Sequence, residues 1–265
     1  YVYSSGDITA NATNLTGSGI YAAAGGSSFI VNAGDISASS VYANSYGAYA
    51  LALFGSAAIF NSGDISVDAY YDSTGLFAKS LYGVAYINNS GDVSVNSEYG
   101  IAAYGLYASA FGSTAVVLNY GGDISASSYD SDASAIVAVA LDDVVIYNSG
   151  DLSAYSYNGD AIGIVGATTD GNVTIYNIGG DISAESVYGN AYGIYARSVY
   201  GDVEVVSTGD MNISGYDLAA GIYAITDVGN VSVYNSGAMT VYSGLAGVGI
   251  AAISQTGDVE VLNAG

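Results

Sequence analysis

One short motif, Asn-x-Gly-Asp-Ile-Ser, returns in degenerate copies along the whole chain. Successive copies lie 28 to 31 residues apart. The repeated glycine is found at Gly6, Gly34, Gly63, Gly91, Gly122, Gly150, Gly180, Gly209, Gly237 and Gly265. Self-similarity at a period in this range predicts a repeat architecture, in which each unit packs only against its neighbours. We therefore predict that residues 1–265 form one elongated domain rather than several globular ones.

Each period contains three short runs that are typical of β-strands. The first alternates polar and apolar residues, as in residues 35–38, the second reads Gly-Ile-Tyr-Ala, as in 193–196, and the third reads Val-x-Val-x-Asn, as in 231–235. Alternation predicts strands with one buried face, and Gly, Asn, Asp and Ser between the runs predict turns. The sequence thus predicts an all-β parallel β-solenoid (β-helix) with three strands per coil, about nine coils of about 29 residues, and right-handed winding.

A column of asparagines ends the third run in most coils. Because residues two apart on a strand share a face, these side chains are expected to point inward with the valines before them. Buried amides need hydrogen-bond partners, and stacked asparagines can bond to one another along a β-array. We predict a structural asparagine ladder made of Asn32, Asn61, Asn89, Asn119, Asn148, Asn177, Asn235 and Asn263.

A column of aspartates follows the repeated glycine. Like charges about 5 Å apart repel by roughly 1 kcal/mol in water, so a maintained column needs a physical reason. One interpretation is turn chemistry, in which Asp after Gly bonds nearby backbone amides. The other is a calcium site, because Ca²⁺ takes carboxylate oxygens. The candidate metal ligands are Asp35, Asp64, Asp92, Asp123, Asp151 and Asp181.

An aromatic column occupies the second run at positions predicted to face outward. Exposed apolar patches mark interaction sites, and tyrosine combines a flat apolar body with a polar tip. In the other interpretation, neighbouring tyrosines cover these rings and β-propensity explains their use. The predicted interaction face consists of Tyr21, Tyr49, Phe77, Tyr107, Tyr195 and Tyr223.

The composition excludes several classes of function. With 24 acids against two bases, Lys79 and Arg197, the net charge is −22, so we predict no binding to nucleic acid phosphates. No apolar run approaches the 18 residues of a spanning helix, so we predict no membrane insertion. The absence of His and Cys removes the commonest bases and thiol nucleophiles. We predict no enzymatic activity and no cofactor other than the calcium considered above.

The recurring Asn-x-Gly-Asp-Ile-Ser and Gly-Ile-Tyr-Ala columns resemble the β-helical repeats of bacterial autotransporter passengers and filamentous adhesins. The resemblance implies an extracellular or surface-displayed structural role. The chain begins and stops in the same type of run, from which we expect a whole number of coils that can continue in register. The predicted function is a surface fibre built by head-to-tail stacking of copies of this chain, with lateral contacts as a further option. The alternative is an adhesin-type binding module that recognises a glycan or a host surface through its Tyr or Asp/Ser faces.

Overall fold

The computed structural model describes residues 1–265 as an all-β parallel β-solenoid without any helix. Short alternating runs rich in Ile, Val and Ala form its twenty-eight strands. In chain order these are β1 (Val2–Ser4), β2 (Ile8–Ala12), β3 (Gly17–Ala24), β4 (Ser28–Asn32), β5 (Ile36–Ser40), β6 (Ser45–Ala52), β7 (Ala57–Asn61), β8 (Ile65–Ala69), β9 (Ser73–Ser80), β10 (Ala85–Asn89), β11 (Val93–Ser97), β12 (Ala102–Ala110), β13 (Ala115–Asn119), β14 (Ile124–Ser128), β15 (Asp132–Ala140), β16 (Val144–Asn148), β17 (Leu152–Ser156), β18 (Ala161–Thr168), β19 (Val173–Asn177), β20 (Ile182–Ser186), β21 (Ala191–Ser198), β22 (Val203–Ser207), β23 (Met211–Gly215), β24 (Leu218–Thr226), β25 (Val231–Asn235), β26 (Met239–Ser243), β27 (Ala246–Ser254) and β28 (Val259–Asn263).

The strands form three parallel sheets, and every strand pairs with the strand three places along the chain. Sheet A contains ten strands, β1 to β28 in steps of three, while sheet B (β2 to β26) and sheet C (β3 to β27) contain nine each. The predicted fold, three strands per coil over about nine coils, is confirmed. The expectation of a whole number of coils is wrong, because sheet A has one strand more than the other two.

The interior is a single apolar column bounded by the three sheets. A cluster of 52 buried hydrophobic residues runs along it, built from Ile, Val, Leu, Met and many alanines. Ile146 of sheet A, Leu152 of sheet B and Ile164 of sheet C are each at most 2% exposed. Because buried apolar area contributes about 25 cal/mol per Å², this shared core stabilises each coil mainly through its neighbours.

The asparagine ladder lies where sheet A turns into sheet B, at a bend that we call the A–B corner. Asn148 Nδ2 donates to Asn177 Oδ1 at 2.7 Å and to the carbonyl of Gly150 at 2.7 Å. The same two bonds recur from Asn32 onward, and every amide donates towards the next coil. The ladder ends where Asn177 donates to the hydroxyl of Ser207 at 3.3 Å, and it resumes between Asn235 and Asn263.

Two coils accommodate an extra glycine beside this ladder. Gly121 and Gly179 have positive φ, at 84° and 89°, a conformation that glycine adopts at little steric cost. The neighbouring Asn119 and Asn177 then bond the carbonyl three residues on instead of two. The insertions are therefore absorbed at the doubled glycines, and the column stays in register.

The broken ladder leads to a stabilising substitution. Asn235 Oδ1 is buried without a hydrogen-bond partner, because the preceding rung holds Ser207. Ser207→Asn supplies a donor at that rung, so we expect the free energy of unfolding to rise by about 1 kcal/mol. Urea denaturation followed by circular dichroism measures the change. Ser207→Ala is the matched control and is expected to lower stability; an unchanged or lower stability for Ser207→Asn contradicts this reading of the ladder.

Candidate functional site

The predicted aromatic column lies on the outer face of sheet C. Tyr49 pairs with Phe77, and Phe77 pairs with Tyr107, on successive rungs. Tyr21 precedes Tyr49 at one end, and Tyr195 and Tyr223 form a second pair of rungs. Val137 and Val165 occupy the column between the two aromatic groups, so one apolar stripe follows the whole face.

The rings of this stripe pack against one another. Phe77 and Tyr107 have centroids 4.7 Å apart with planes 3° apart, and Tyr49 stacks on Phe77 at 4.6 Å. Tyr195 and Tyr223 are parallel within 1° at 5.7 Å. Stacking along the rod engages the ring faces and leaves mainly edges and hydroxyls at the surface. Only Tyr21, at 56%, is strongly exposed. Most rings of the column are therefore covered by the neighbouring rings.

Sheet C is kinked, which brings a second tyrosine column against the first. Pairing is interrupted at Gly105, while Tyr104 on one side and Leu106 on the other keep their partners. The kink leaves Tyr104 and Tyr107 both facing outward, with ring centroids 4.9 Å apart. Tyr46 and Tyr192 are placed in the same way in other coils.

The packing of these phenols changes their acidity. Burial raises the pKa of Tyr49 to about 12, and the nearby Tyr21 and Tyr46 add to the effect. Burial also raises the pKa of Tyr104 to about 12, with further contributions from Tyr107, Asp132 and Asp72. The two hydroxyls therefore remain protonated well above the pH at which an exposed tyrosine ionises.

A longer tyrosine column, which the sequence analysis did not identify, follows the corner between sheets B and C. We call it the tyrosine ridge. Neighbouring ring centroids lie 4.8 to 6.3 Å apart over seven consecutive coils, and most members are about half exposed. The ridge consists of Tyr42, Tyr70, Tyr99, Tyr129, Tyr157, Tyr188 and Tyr216. The sequence signal for the ridge is a tyrosine seven or eight residues after the repeated glycine, within segments whose Gly, Asn, Asp and Ser content predicts turns.

The aspartate column lies at the A–B corner, with its side chains exposed. Asp123 Oδ1 accepts a hydrogen bond from the amide of Asp151 at 3.0 Å, and Asp151 does the same for Asp181 at 2.9 Å. Asp35, Asp64 and Asp92 follow the same pattern. Each carboxylate therefore bonds the backbone of the next coil, which supports turn chemistry acting between rungs.

Equivalent Asx columns occupy the other two corners. Where sheet C turns into sheet A, Asn172 Oδ1 accepts a hydrogen bond from the backbone amide of Asp202 at 2.8 Å. Asp202 Oδ1 accepts one from the backbone amide of Asn230 at 2.7 Å. At the B–C corner, Asp132 and Asp160 accept amides of the following coil at 2.9 and 2.8 Å. The aspartates of the repeated motif are thus one of three similar columns.

The structure contains no group of three or more His, Cys, Asp or Glu side chains placed to hold a metal ion. One oxygen of each carboxylate in the A–B column already accepts a backbone amide. The column borders a groove of about 650 Å³ along sheet B, which is also lined by Ser94, Ser125, Ser153 and Ser183. Calcium binding by Asp35, Asp64, Asp92, Asp123, Asp151 and Asp181 stays a prediction.

Substitution in the aspartate column separates turn chemistry from calcium binding. Asp123→Ala removes the acceptor for the amide of Asp151, and we expect the free energy of unfolding to fall by about 1 kcal/mol. Asp123→Asn keeps an oxygen acceptor and is expected to cost less. Thermal unfolding with calcium and with excess chelator measures both effects; a Tm of the unsubstituted protein that falls on chelation would assign the column to calcium instead.

The raised tyrosine pKa values predict a loss of stability at high pH. Tyr49 and Tyr104 keep their protons in the folded chain up to about pH 12, whereas in the unfolded chain they ionise near pH 10. The folded state therefore holds more protons in this window, so stability falls as pH rises from 10 to 12. Absorbance at 295 nm and circular dichroism follow ionisation and unfolding together. Tyr104→Phe is expected to flatten the fall, and an identical pH profile for that variant would contradict the assignment.

Comparisons of this chain with protein-family models, with curated proteins and with solved structures found no match. None of the residues belongs to a helix that could cross a membrane.

Proposed function

We propose that this chain is a structural rod of a bacterial surface fibre, extended by end-to-end stacking of coils outside the cell. The strand edges at the two ends of residues 1–265 carry the proposal. Within these residues, β1, β2 and β3 have unpaired edges at one end, and β26, β27 and β28 have unpaired edges at the other. Unpaired strand edges are templates for further pairing. The bacterial and extracellular parts of the proposal derive from the resemblance of the repeats to autotransporter passengers and filamentous adhesins.

The side chains at the ends also favour stacking, because apolar residues are exposed there. Val259 and Val261 of β28 are each 46% exposed, whereas the equivalent Val231 and Val233 one coil inside are 1% exposed. Stacking of another coil would bury these valines and the partly buried Ile250. Removing apolar area from water contributes about 25 cal/mol per Å², in addition to the hydrogen bonds of three strands.

The extra strand of sheet A sets a geometric condition on such a joint. If sheets B and C continue from β26 and β27 of one copy into β2 and β3 of the next, then β28 and the incoming β1 claim the same rung. One of these two strands has to be displaced from sheet A. β1 is the shorter strand, with three residues, so we expect β1 to be displaced.

This condition gives an experiment on residues 1–265. We expect the purified chain to form rods longer than the roughly 43 Å of nine rungs, as seen by negative-stain electron microscopy. Deleting residues 1–5 removes the competing strand and is expected to lower the concentration at which long rods appear. Val261→Asp puts a charge into the joint and is expected to abolish them.

Leu262→Asp is the matched control, because Leu262 is exposed at a position that faces outward from sheet A. It should leave the rods intact. Short particles of uniform length, for both the unsubstituted chain and the chain lacking residues 1–5 at all concentrations, would contradict the stacking proposal.

A second candidate is an adhesin-type binding module, favoured by the exposure of the tyrosine ridge. Its half-exposed phenols repeat once per coil, whereas the rings of Tyr195 and Tyr223 on sheet C are stacked together and offer little face to a sugar. The groove beside the aspartates and serines of sheet B is a second surface for such a ligand. Binding to a glycan array by the unsubstituted chain and by Tyr188→Ala tests this candidate, with the exposed Tyr200, which lies at another corner, replaced as control.

A further inference from the structure

The outer face of sheet C differs in charge from every other side of the rod. Among its strands only Asp132, at the first position of β15, is acidic, although the chain carries 24 acids. The only two bases, Lys79 and Arg197, both lie on this face in one column, four coils apart. The strands of sheets A and B carry two acids each and no base, Glu204 and Glu260 on sheet A and Asp68 and Glu185 on sheet B. The Asx columns lie at the corners and border all three faces alike.

Electrostatics therefore restrict how two such rods can meet side by side. Two copies with a net charge of −22 repel, and the repulsion is strongest where columns of carboxylates face each other. The sheet C face is the one side whose strands carry more bases than acids, and a second rod meets apolar and aromatic side chains there. Tyr49, Leu51 and Leu53 border a shallow cavity there, and Tyr107, Phe111 and Leu141 border another.

The face is also large enough for a stable interface. A strand of eight residues spans about 26 Å and nine rungs span about 38 Å between the outermost strands, which gives a face of roughly 1,000 Å². Stable protein pairs bury about 800 Å² on each partner.

We propose that two copies of this chain pair laterally through their sheet C faces, with the rods parallel and a two-fold axis running along the central aromatic stripe. This inference does not depend on end-to-end stacking. It names the partner as a second copy and fixes the direction in which that copy runs.

The positions of the charges select the parallel arrangement. Lys79 lies at the C–A edge of β9, and Asp72 lies just before β9 at the B–C edge. A two-fold axis along the rod exchanges the two edges and keeps the rung, so that the column of Lys79 and Arg197 faces the partner's column of Thr74 and Tyr192, on the side of the face that Asp72 borders. Arg197, at the far edge of β21, thus faces the partner's Tyr192 at the near edge. An arginine over a tyrosine ring is a favourable cation–π pair.

The antiparallel arrangement has the opposite effect. A two-fold axis across the rods keeps each edge against the same edge of the partner. The column that contains Lys79 and Arg197 would then face its own copy, and the edge with Asp72, Asp132 and Asp160 would face the same acids. Both edges would place like charges together.

Analytical ultracentrifugation tests the pairing. Val261→Asp serves as the background, because it blocks end-to-end stacking and so separates the two proposals. We expect a species of twice 26.5 kDa. Ala167→Glu puts an acid beside Arg197 on the sheet C face and is expected to weaken pairing at least tenfold. Thr174→Glu is the matched control on sheet A, where Glu204 already occupies the next rung, and it should leave the dimer unchanged.

A spin label tests the direction of the rods. The chain has no cysteine, so Ala23→Cys on the first rung of sheet C carries one label per copy. Parallel pairing predicts an interlabel distance below about 25 Å, whereas antiparallel pairing centred on the rod predicts about 40 Å or more. A chain that is monomeric at all concentrations, a dimer that Ala167→Glu does not weaken, or the longer distance would each overturn the proposal.

Discussion

Parallel hydrogen bonding from rung to rung is the constraint on which the rest of this structure depends. It places each side chain about 4.8 Å from its equivalent in the next coil, so every position has to be compatible with copies of itself. Isoleucine packs on isoleucine, ring on ring and amide on amide. At the A–B corner the backbones approach so closely that a Cβ on Gly150 would collide with the carbonyl of Gly122. The repetition of the sequence follows from this self-compatibility.

All three corners have to satisfy the same requirement: the chain turns out of a strand, and its backbone amides still need hydrogen-bond acceptors. Each corner combines an inward polar side chain with an outward Asx. The inward residue is Asn at the A–B corner and mostly Ser or Thr at the others; Ser186 and Ser198 each donate to a carbonyl of the preceding coil at 2.7 Å. Residues 186–190 and 198–202 read Ser-Val-Tyr-Gly-Asn and Ser-Val-Tyr-Gly-Asp. The same turn thus serves two corners, and its tyrosine is the residue left exposed.

The fold could be predicted from the sequence because the repeat fixes register. Once Gly122 is aligned with Gly150, the alternation of Ile124 and Ala126 determines which side chains face the core. The asparagine ladder followed from the same alignment. The extra strand of sheet A does not follow from the period, because the first and last runs belong to the same sheet and a constant repeat length does not show that this sheet has one strand more.

The surfaces were harder to predict because they depend on bends rather than on alternation. Nothing in the period-two pattern marks the kink at Gly105, which brings Tyr104 and Tyr107 together and buries both in part. The tyrosine ridge escapes prediction for a related reason: Tyr129 and Tyr188 lie in turns, and turn residues in a sequence indicate the backbone conformation but not the direction of their side chains. The hydrogen bonds of Asp123 and Asp151 to the next coil also required three-dimensional contact, because sequence neighbours alone suggest only local turns.

The asparagine ladder has a consequence for how such rods can grow during evolution. Its amides all donate in one direction, so an unbroken run leaves one oxygen unpaired, at its first member, whatever its length. The chain has two runs, and the two buried asparagine oxygens without partners are those of Asn32 and Asn235, at the head of each. Duplication of an internal coil adds one donor and one acceptor that satisfy each other. The free-energy cost of unpaired oxygens therefore rises with the number of interruptions in the ladder and not with the number of coils. Gene duplication can lengthen the molecule without adding to this cost.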